Sequence, residues 1–380
     1  MNPLTYRPDA STDKRVSWIS ALWVALFVLA VSAVVFEWEV ARPTDGQAHA
    51  AAAPQRQAPS PYEGIRPQSP DEQAASDRLA PTPGVPAPSR PPPRRRRPRL
   101  AHNRAMNRAL WGVDFSCAPG RRKPIVVARG RLAAGVLRLE KLDVVASLGD
   151  FEALLAEPGP WLGAFDFPFG QPREFVASLA LGESADEVIA ELQQRCTHRM
   201  GFRALVDAWG NGRPAGSRLL HRRTDAAMPG ISSSSPLQTR YVPVGLMYFE
   251  GLSRLVRSGV TIPGLRAGDP ARVAVEAYPG LLAFELIGRR SYKNQASPDR
   301  LIARKDIVDA LEQGRTRLRL RLKLSHAQRE ALVDDPLGDR LDAALCLMQA
   351  GWASTRPDGG LPAGVDPVEG WITSMAAQAA

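Results

Sequence analysis

Cysteine is rare in this 380-residue chain, and its three cysteines, Cys117, Cys196 and Cys346, are isolated from one another. An odd number of widely spaced cysteines gives no disulfide framework and no CxxC zinc pattern. This excludes a fold that depends on disulfides or on such zinc ligands. We expect reduced thiols, with Cys346 in the core.

Histidine is also scarce, with five residues in the chain. His198, His221 and His326 show no spacing typical of metal ligands.

Ser116 lacks the context of a nucleophile elbow, which argues against serine hydrolysis. The segment APG at 118–120 is a poor phosphate loop, and no second glycine-rich loop follows a later predicted strand.

Acidic residues are the minority, since 49 Lys and Arg stand against 39 Asp and Glu and give a formal net charge of +10. The excess is divided evenly between residues 1–105 and the rest of the chain, so the C-terminal part is only mildly basic. Such a balance is compatible with a polyanionic partner such as nucleic acid, but it does not require one.

A long apolar run, WISALWVALFVLAVSAVVF, occupies 18–36 without a charged residue. As a helix it would be roughly 28 Å long, close to the roughly 30 Å hydrocarbon core of a bilayer. Basic residues precede the run and acidic residues follow it, which places the N-terminus in the cytoplasm. The sequence predicts an N-terminal tail over 1–16, a transmembrane helix over 17–39 and a single-pass membrane protein. A signal peptide cleaved near residue 50 is the alternative.

Residues 40–105 are crowded with proline, alanine, glutamine and serine and end in PPPRRRRPRL. This composition predicts a disordered, partly polyproline-like linker. Its arginine run either contacts phosphate or lipid headgroups or is simply solvated. If Met106 is the native start, the upstream segment is a translation artefact and the protein is cytoplasmic.

From residue 106 onwards, predicted strands and helices alternate. The strand patterns lie at 109–115, 124–132, 135–145, 161–167 and 272–280. The helix patterns lie at 149–159, 245–258, 298–313 and 335–353. The first three strands have short connections, as in an antiparallel meander. This order predicts an α/β fold, a mixed sheet covered by helices, in a domain over 106–358 with a C-terminal tail over 359–380.

Three of the predicted strands end in an acid, namely Asp114 in WGVDFS, Asp166 in AFDFPFG and Glu276 in VAVEAYPG. In such sheets ligands gather at the carboxyl ends of adjacent parallel strands. Asp339 and Asp342 of the closing helix are spaced i,i+3 and therefore share a helix face. We expect that face to lie against the strand ends.

Four or five carboxylates around one point repel one another unless cations lie between them. Mg²⁺ or Mn²⁺ is the matching choice, and two such ions about 4 Å apart can bind a phosphodiester. Simpler roles stay open for two of the acids. Asp114 can accept backbone N–H groups in a turn, and Asp339 lies in a first helical turn, where the helix dipole favours any acid.

The motifs GVDFS, FDFPFG, VEAYPG with SYKNQ after it, and DRLDAALC resemble, in order and spacing, domain-of-unknown-function family 429 (DUF429). Its members are regarded as predicted nucleases of the ribonuclease-H-like fold. The resemblance covers about 110–353. The segment DRLDAAL also looks like the metal-binding helix of the RuvC resolvase.

This resemblance implies a ribonuclease-H-like sheet and a role for each acid. Asp114, Asp166 and Asp342 would be the core metal ligands. Asp339 and Glu276 would be auxiliary ligands or would orient water.

Three basic residues are candidates for phosphate contacts. Lys293, in SYKNQ, follows the Glu276 strand and its helix, so it is placed to contact phosphate or to stabilise the transition state, unless it is an ordinary surface lysine. Arg222 and Arg223, in HRRTD, either contact a phosphate backbone or are solvated loop residues.

The sequence therefore predicts a nuclease that hydrolyses nucleic-acid phosphodiesters with two Mg²⁺ or Mn²⁺ ions. Two other functions stay open. The first is a non-catalytic module that binds nucleic acid or protein. In that case the acids would be dispensable for binding and the basic segments would be essential. A phosphotransferase or ATPase of the related sugar-kinase fold requires glycine-rich phosphate loops.

Overall fold

The computed structural model of the chain describes residues 108–214 and 216–375. The predicted tail over 1–16, membrane helix over 17–39 and linker over 40–105 lie outside these residues. The longest described helix has 16 residues, fewer than the roughly 20 that span a bilayer, and no described helix is long and apolar enough to cross a membrane. This finding corrects the transmembrane part of the predicted fold class and the predicted single-pass membrane localisation.

The described residues contain one mixed sheet. Its strands are β1 (Ala109–Asp114), β2 (Ile125–Ala133), β3 (Val136–Val145), β4 (Trp161–Phe165), β5 (Val260–Thr261), β6 (Asp269–Glu276) and β7 (Arg321–Lys323). Their spatial order is β5-β6-β4-β1-β2-β3-β7. The predicted antiparallel meander of β1, β2 and β3 is confirmed. Next to it, β1, β4, β6 and β5 run parallel, and β7 joins β3 in parallel at the other edge.

Helices cover both faces of this sheet. They are α1 (Leu148–Leu155), α2 (Arg173–Ser178), α3 (Ala185–Arg195), α4 (Arg199–Asn211), α5 (Val244–Ser258), α6 (Pro279–Ile287), α7 (Pro298–Glu312), α8 (His326–Val333) and α9 (Asp339–Ser354). Strand residues alternate between two cores. In β1, Trp111 and Val113 pack with α1–α5, whereas Leu110 packs with α6–α9. This three-layer arrangement is compatible with a ribonuclease-H-like α/β fold.

A glycine in the central strand allows α9 to pack directly on the sheet. A Cβ atom at Gly112 would lie 2.0 Å from the Leu347 nitrogen and 2.1 Å from the Ala343 oxygen. The backbone of α9 can therefore approach β1 this closely only at a residue without a side chain. The close contact fixes α9 across β1, and Cys346 is fully buried there, as the sequence predicted.

The residues predicted to form a C-terminal tail belong to the domain as far as they are described. Val368 and Ile372 are buried, and Ile372 forms a parallel β-bridge with Glu276. The Thr373 N–H donates to the Glu276 carbonyl at 2.8 Å. The boundary at residue 358 is therefore corrected. The short apolar segment that contains Val368 and Ile372 packs against the edge of the sheet.

Candidate metal centre

Asp114 and Asp166 lie side by side at the carboxyl ends of β1 and β4. The parallel register pairs Val113 with Phe165, and the Asp166 N–H donates to the Val113 carbonyl at 2.9 Å. The residues before the two aspartates, Val113 and Phe165, pack against α1–α5. Because side chains alternate between the two faces along a strand, Asp114 and Asp166 point to the opposite face, which α6–α9 cover. The strand register and the alternation of side chains together bring these two carboxylates to the face that α9 covers.

Asp342, in the first turn of α9, completes a cluster of three carboxylates. One oxygen from each of Asp114, Asp166 and Asp342 lies within 4.8 Å of the other two. Mg²⁺ binds oxygen ligands at about 2.0–2.1 Å, so two oxygens on opposite sides of one ion lie about 4 Å apart. The three carboxylates are close to this spacing, and small side-chain movements would bring all three into contact with one ion. Asp114 and Asp342 are buried, with 6% and 1% of their surface exposed, and Asp166 is half-buried.

Tyr292 and Lys293 hold the carboxylate of Asp342. The Tyr292 hydroxyl donates to Oδ1 at 2.6 Å, and the Lys293 ammonium group contacts Oδ2. Gly338, directly before α9, has a φ of 81°, and a Cβ there would lie 2.6 Å from the Lys293 Cβ. Lys293 thus lies at the cluster. Its contact with phosphate stays a prediction.

Asp339 lies beside the three-carboxylate cluster and forms an ion pair with Lys123. Burial would lower the pKa of Lys123, but Asp114 and Asp339 outweigh it and raise that pKa. The sequence reading missed Lys123. A signal was present, because Lys123 ends the basic turn GRRK, which only Pro124 separates from β2. The antiparallel pairing of β1 with β2 returns Lys123 to the end of β1.

Negative charge exceeds positive charge at this site, since four carboxylates share two ammonium groups. Burial, with the charges of Asp342 and Asp166, raises the pKa of Asp114 well above its ordinary value. Burial also raises the pKa of Asp166 to about 7, although Lys293 acts to lower it. Burial would lower the pKa of Lys293, but Asp342 and Asp166 outweigh it, and the group stays cationic.

One oxygen of the cluster is unsatisfied. Asp114 Oδ2 is buried and has no hydrogen-bond partner among the described residues. A buried carboxylate oxygen without a donor costs about 1–3 kcal/mol or more, because it has lost its hydration without compensation. β1 pairs with β2 and with β4, so the backbone that carries Asp114 is held on both sides.

Glu276 lies at the end of β6 but faces the other side of the sheet. Its partner in the parallel register is Phe165, which packs against α1–α5. Two N–H groups of Arg222 donate to its carboxylate at 2.6 and 2.8 Å, and the Phe169 N–H donates at 2.9 Å. The expectation that Glu276 is an auxiliary ligand is therefore corrected, because Glu276 belongs to a separate buried ion pair.

Among the described contacts, neither of the two predicted phosphate-binding arginines pairs with a carboxylate of the cluster. Arg222 is 2% exposed and pairs with Asp225 as well as with Glu276. Burial would lower its pKa, but the two carboxylates outweigh it and keep the guanidinium charged. Arg223 is exposed, and its backbone N–H donates to Glu369 at 2.9 Å. A role for Arg222 at a phosphate backbone is corrected, since its donors are used inside the protein.

No family model, no curated protein and no solved structure matches this chain. The resemblance to DUF429 thus stays a prediction.

Proposed function

We propose that this protein is a divalent-metal-dependent phosphodiesterase that acts on nucleic acid, with Asp114, Asp166 and Asp342 as its metal ligands. One observation carries the proposal. Three carboxylates from two adjacent strand ends and a closely packed helix meet within 4.8 Å, and a buried oxygen of one of them has no donor.

The donor set fits the proposed metal. All three ligands offer carboxylate oxygens, which Mg²⁺ and Mn²⁺ prefer over softer metals. An ion that contacts Asp114 Oδ2 would also give this unsatisfied atom a partner. The predicted second ion is less well supported than the first, because Oδ1 of Asp339 already pairs with Lys123.

The protein's own residues supply the rest of the proposed chemistry. Mg²⁺ or Mn²⁺, when bound, activates a water molecule and stabilises charge on a phosphoryl group. Tyr292 fixes Oδ1 of Asp342, which holds this carboxylate in one orientation. Lys293 and Lys123 bring two positive charges to the cluster, where they can attract and orient a phosphate group.

Cleavage of labelled nucleic acid tests the proposal. The full-length chain is incubated with fluorescent 20-nucleotide DNA and RNA, single-stranded and duplex, in Mn²⁺, in Mg²⁺ and in EDTA. We expect cleavage that requires metal, that is lost in Asp114→Asn and that is retained in Asp334→Asn, a control at an exposed aspartate outside the cluster. Metal binding without cleavage of any substrate would contradict hydrolysis and leave a non-catalytic binding module.

A further inference from the structure

A cleft of about 740 Å³ adjoins the candidate metal centre. It lies between α6, the residues that follow α6 and the segment 226–232. Three aromatic side chains line it, Tyr278, Phe284 and Tyr292, and Arg289 and Arg290 also border it. Its volume is in the range of sites that bind small organic molecules or parts of larger ones.

The cleft and the metal centre share a wall. Tyr292 lines the cleft, and its hydroxyl donates to Asp342 Oδ1 at 2.6 Å. Tyr278 follows β6, which pairs with β4, so it emerges next to Asp166. Burial, and then the charges of Asp166 and Asp342, raise the pKa of Tyr278, which agrees with this proximity. A ligand in the cleft therefore lies next to a phosphate held at the carboxylates.

Tyr278 is fixed in position before any ligand binds. Its backbone N–H donates to Gln349 Oε1 at 3.1 Å. Its ring packs over Gly280 in the first turn of α6, where a Cβ atom would lie 2.7 Å from the ring. The side chain is half-buried. The cleft thus contains a fixed aromatic surface, which lowers the entropy cost of stacking a flat ligand on it.

Arg289 supplies a positive charge at the same cleft. It is exposed, its Nη2 contacts the Gly230 carbonyl at 3.5 Å, and no carboxylate of the described residues lies within ion-pair distance. The neighbouring Arg290 differs, because Asp306 binds it at 2.8 Å. An anion at this edge of the cleft would therefore meet Arg289 without competing with an internal partner.

We propose that this cleft binds an unpaired nucleobase beside the phosphate at the metal centre, and that the substrate is single-stranded nucleic acid. Tyr278 stacks on the base, and Arg289 contacts a neighbouring phosphate. Bases in a duplex are paired and stacked within the helix, so they cannot enter such a cleft without being extruded. This inference rests on the proposed function for the identity of the adjoining site.

Oligonucleotide binding in EDTA tests the cleft without any metal chemistry. Fluorescence anisotropy gives the Kd of the full-length chain for fluorescein-labelled 12-nucleotide oligothymidine and oligouridine. We expect Tyr278→Ala to raise the Kd about tenfold, as for the loss of one stacked base, and Tyr278→Phe to retain binding. Tyr241→Ala is the matched control, because Tyr241 is 98% exposed and does not line the cleft. Its Kd stays that of the wild type.

Two further measurements separate stacking from charge. An abasic 12-mer and a hairpin duplex should bind weakly and with the same Kd in wild type and Tyr278→Ala. Arg289→Ala, at an exposed position, should reduce the slope of log K against log salt by about one. An unchanged Kd in Tyr278→Ala overturns the inference, as does tighter binding of the duplex than of the single strand. An unchanged salt slope in Arg289→Ala contradicts the proposed phosphate contact of Arg289.

The two proposals fail separately. Binding that depends on Tyr278, in a protein that binds no Mn²⁺, supports the cleft and contradicts the phosphodiesterase. Mn²⁺ binding that depends on Asp166, with no effect of Tyr278→Ala on oligonucleotide binding, contradicts the cleft and leaves the phosphodiesterase in place.

Discussion

Replacing Asp166 by Asn is expected to stabilise the metal-free protein at pH 8. Burial raises the pKa of Asp166 from 3.8 to about 7. Between these values the folded state holds a proton that the unfolded state has lost, so this carboxyl lowers stability progressively as the pH rises from about 4 to 7. About three pKa units at 1.36 kcal/mol each set a ceiling of about 4 kcal/mol above pH 7. Asparagine cannot ionise and removes this destabilisation.

Urea unfolding in EDTA at several pH values between 4 and 8 measures the effect. The free energy of unfolding of the wild type should fall more steeply with pH than that of Asp166→Asn, and the variant should be the more stable protein at pH 8. Asp334→Asn, at an exposed aspartate, should follow the wild type. An Asp166→Asn variant that is less stable at pH 8, with an unchanged pH dependence, would refute the interpretation of the cluster as a site with excess negative charge.

Three other changes have defined outcomes. Gly112→Ala places a methyl group 2.0 Å from the backbone of α9, so thermal denaturation should show a loss of at least about 1–3 kcal/mol, and an unchanged melting curve would contradict the packing. Arg222→Met leaves Glu276 buried without its cation, and urea unfolding should show a loss of about 3–5 kcal/mol, whereas a neutral change would show that the ion pair is not structural. Lys293→Met removes the cation that lowers the pKa of Asp166, so a ¹³C NMR titration should find that pKa above about 7, and a lower value would contradict the placement of Lys293.

The sequence contained the information for the meander and for the placement of all three proposed ligands. The runs before Asp114 and Asp166 are apolar and end at turn formers, so their place at strand ends could be read directly. Asp342 followed from its i,i+3 spacing with Asp339, which puts both on one face of the predicted closing helix. The edge strands β5 and β7 could not be predicted, because two or three residues leave no alternation to recognise.

For Glu276 the sequence predicted the strand end correctly but did not predict the face of the sheet to which its side chain points. The position of an acid at a strand end shows at which edge of the sheet it lies. The face to which its side chain points depends on the register of the strand, and a shift of one residue moves the side chain to the opposite face. Asp166 comes one residue after Phe165, whereas Glu276 pairs with Phe165 itself. The two acids therefore point to opposite faces. A single sequence does not give the register between strands that are separated by about a hundred residues.

The role of Arg222 was predicted wrongly, and Lys123 was not predicted at all, for a related reason. Each acquires its role from a partner that is distant in the chain, Glu276 for Arg222 and Asp339 for Lys123. No local pattern distinguishes a buried arginine that pairs with a distant carboxylate from a solvated one. The buried segment around Val368 is similar, because its neighbours on the sheet edge come from remote strands.

Calorimetric titration of the full-length chain with Mn²⁺ at pH 8 tests the metal centre most directly. This pH lies above the pKa of about 7 to which burial raises Asp166, and no substrate has to be known. The proposed ligand set predicts binding by the wild type and by Asp334→Asn, and none by Asp166→Asn. Equal binding by Asp166→Asn, or no binding by the wild type, would contradict a metal site at Asp114, Asp166 and Asp342.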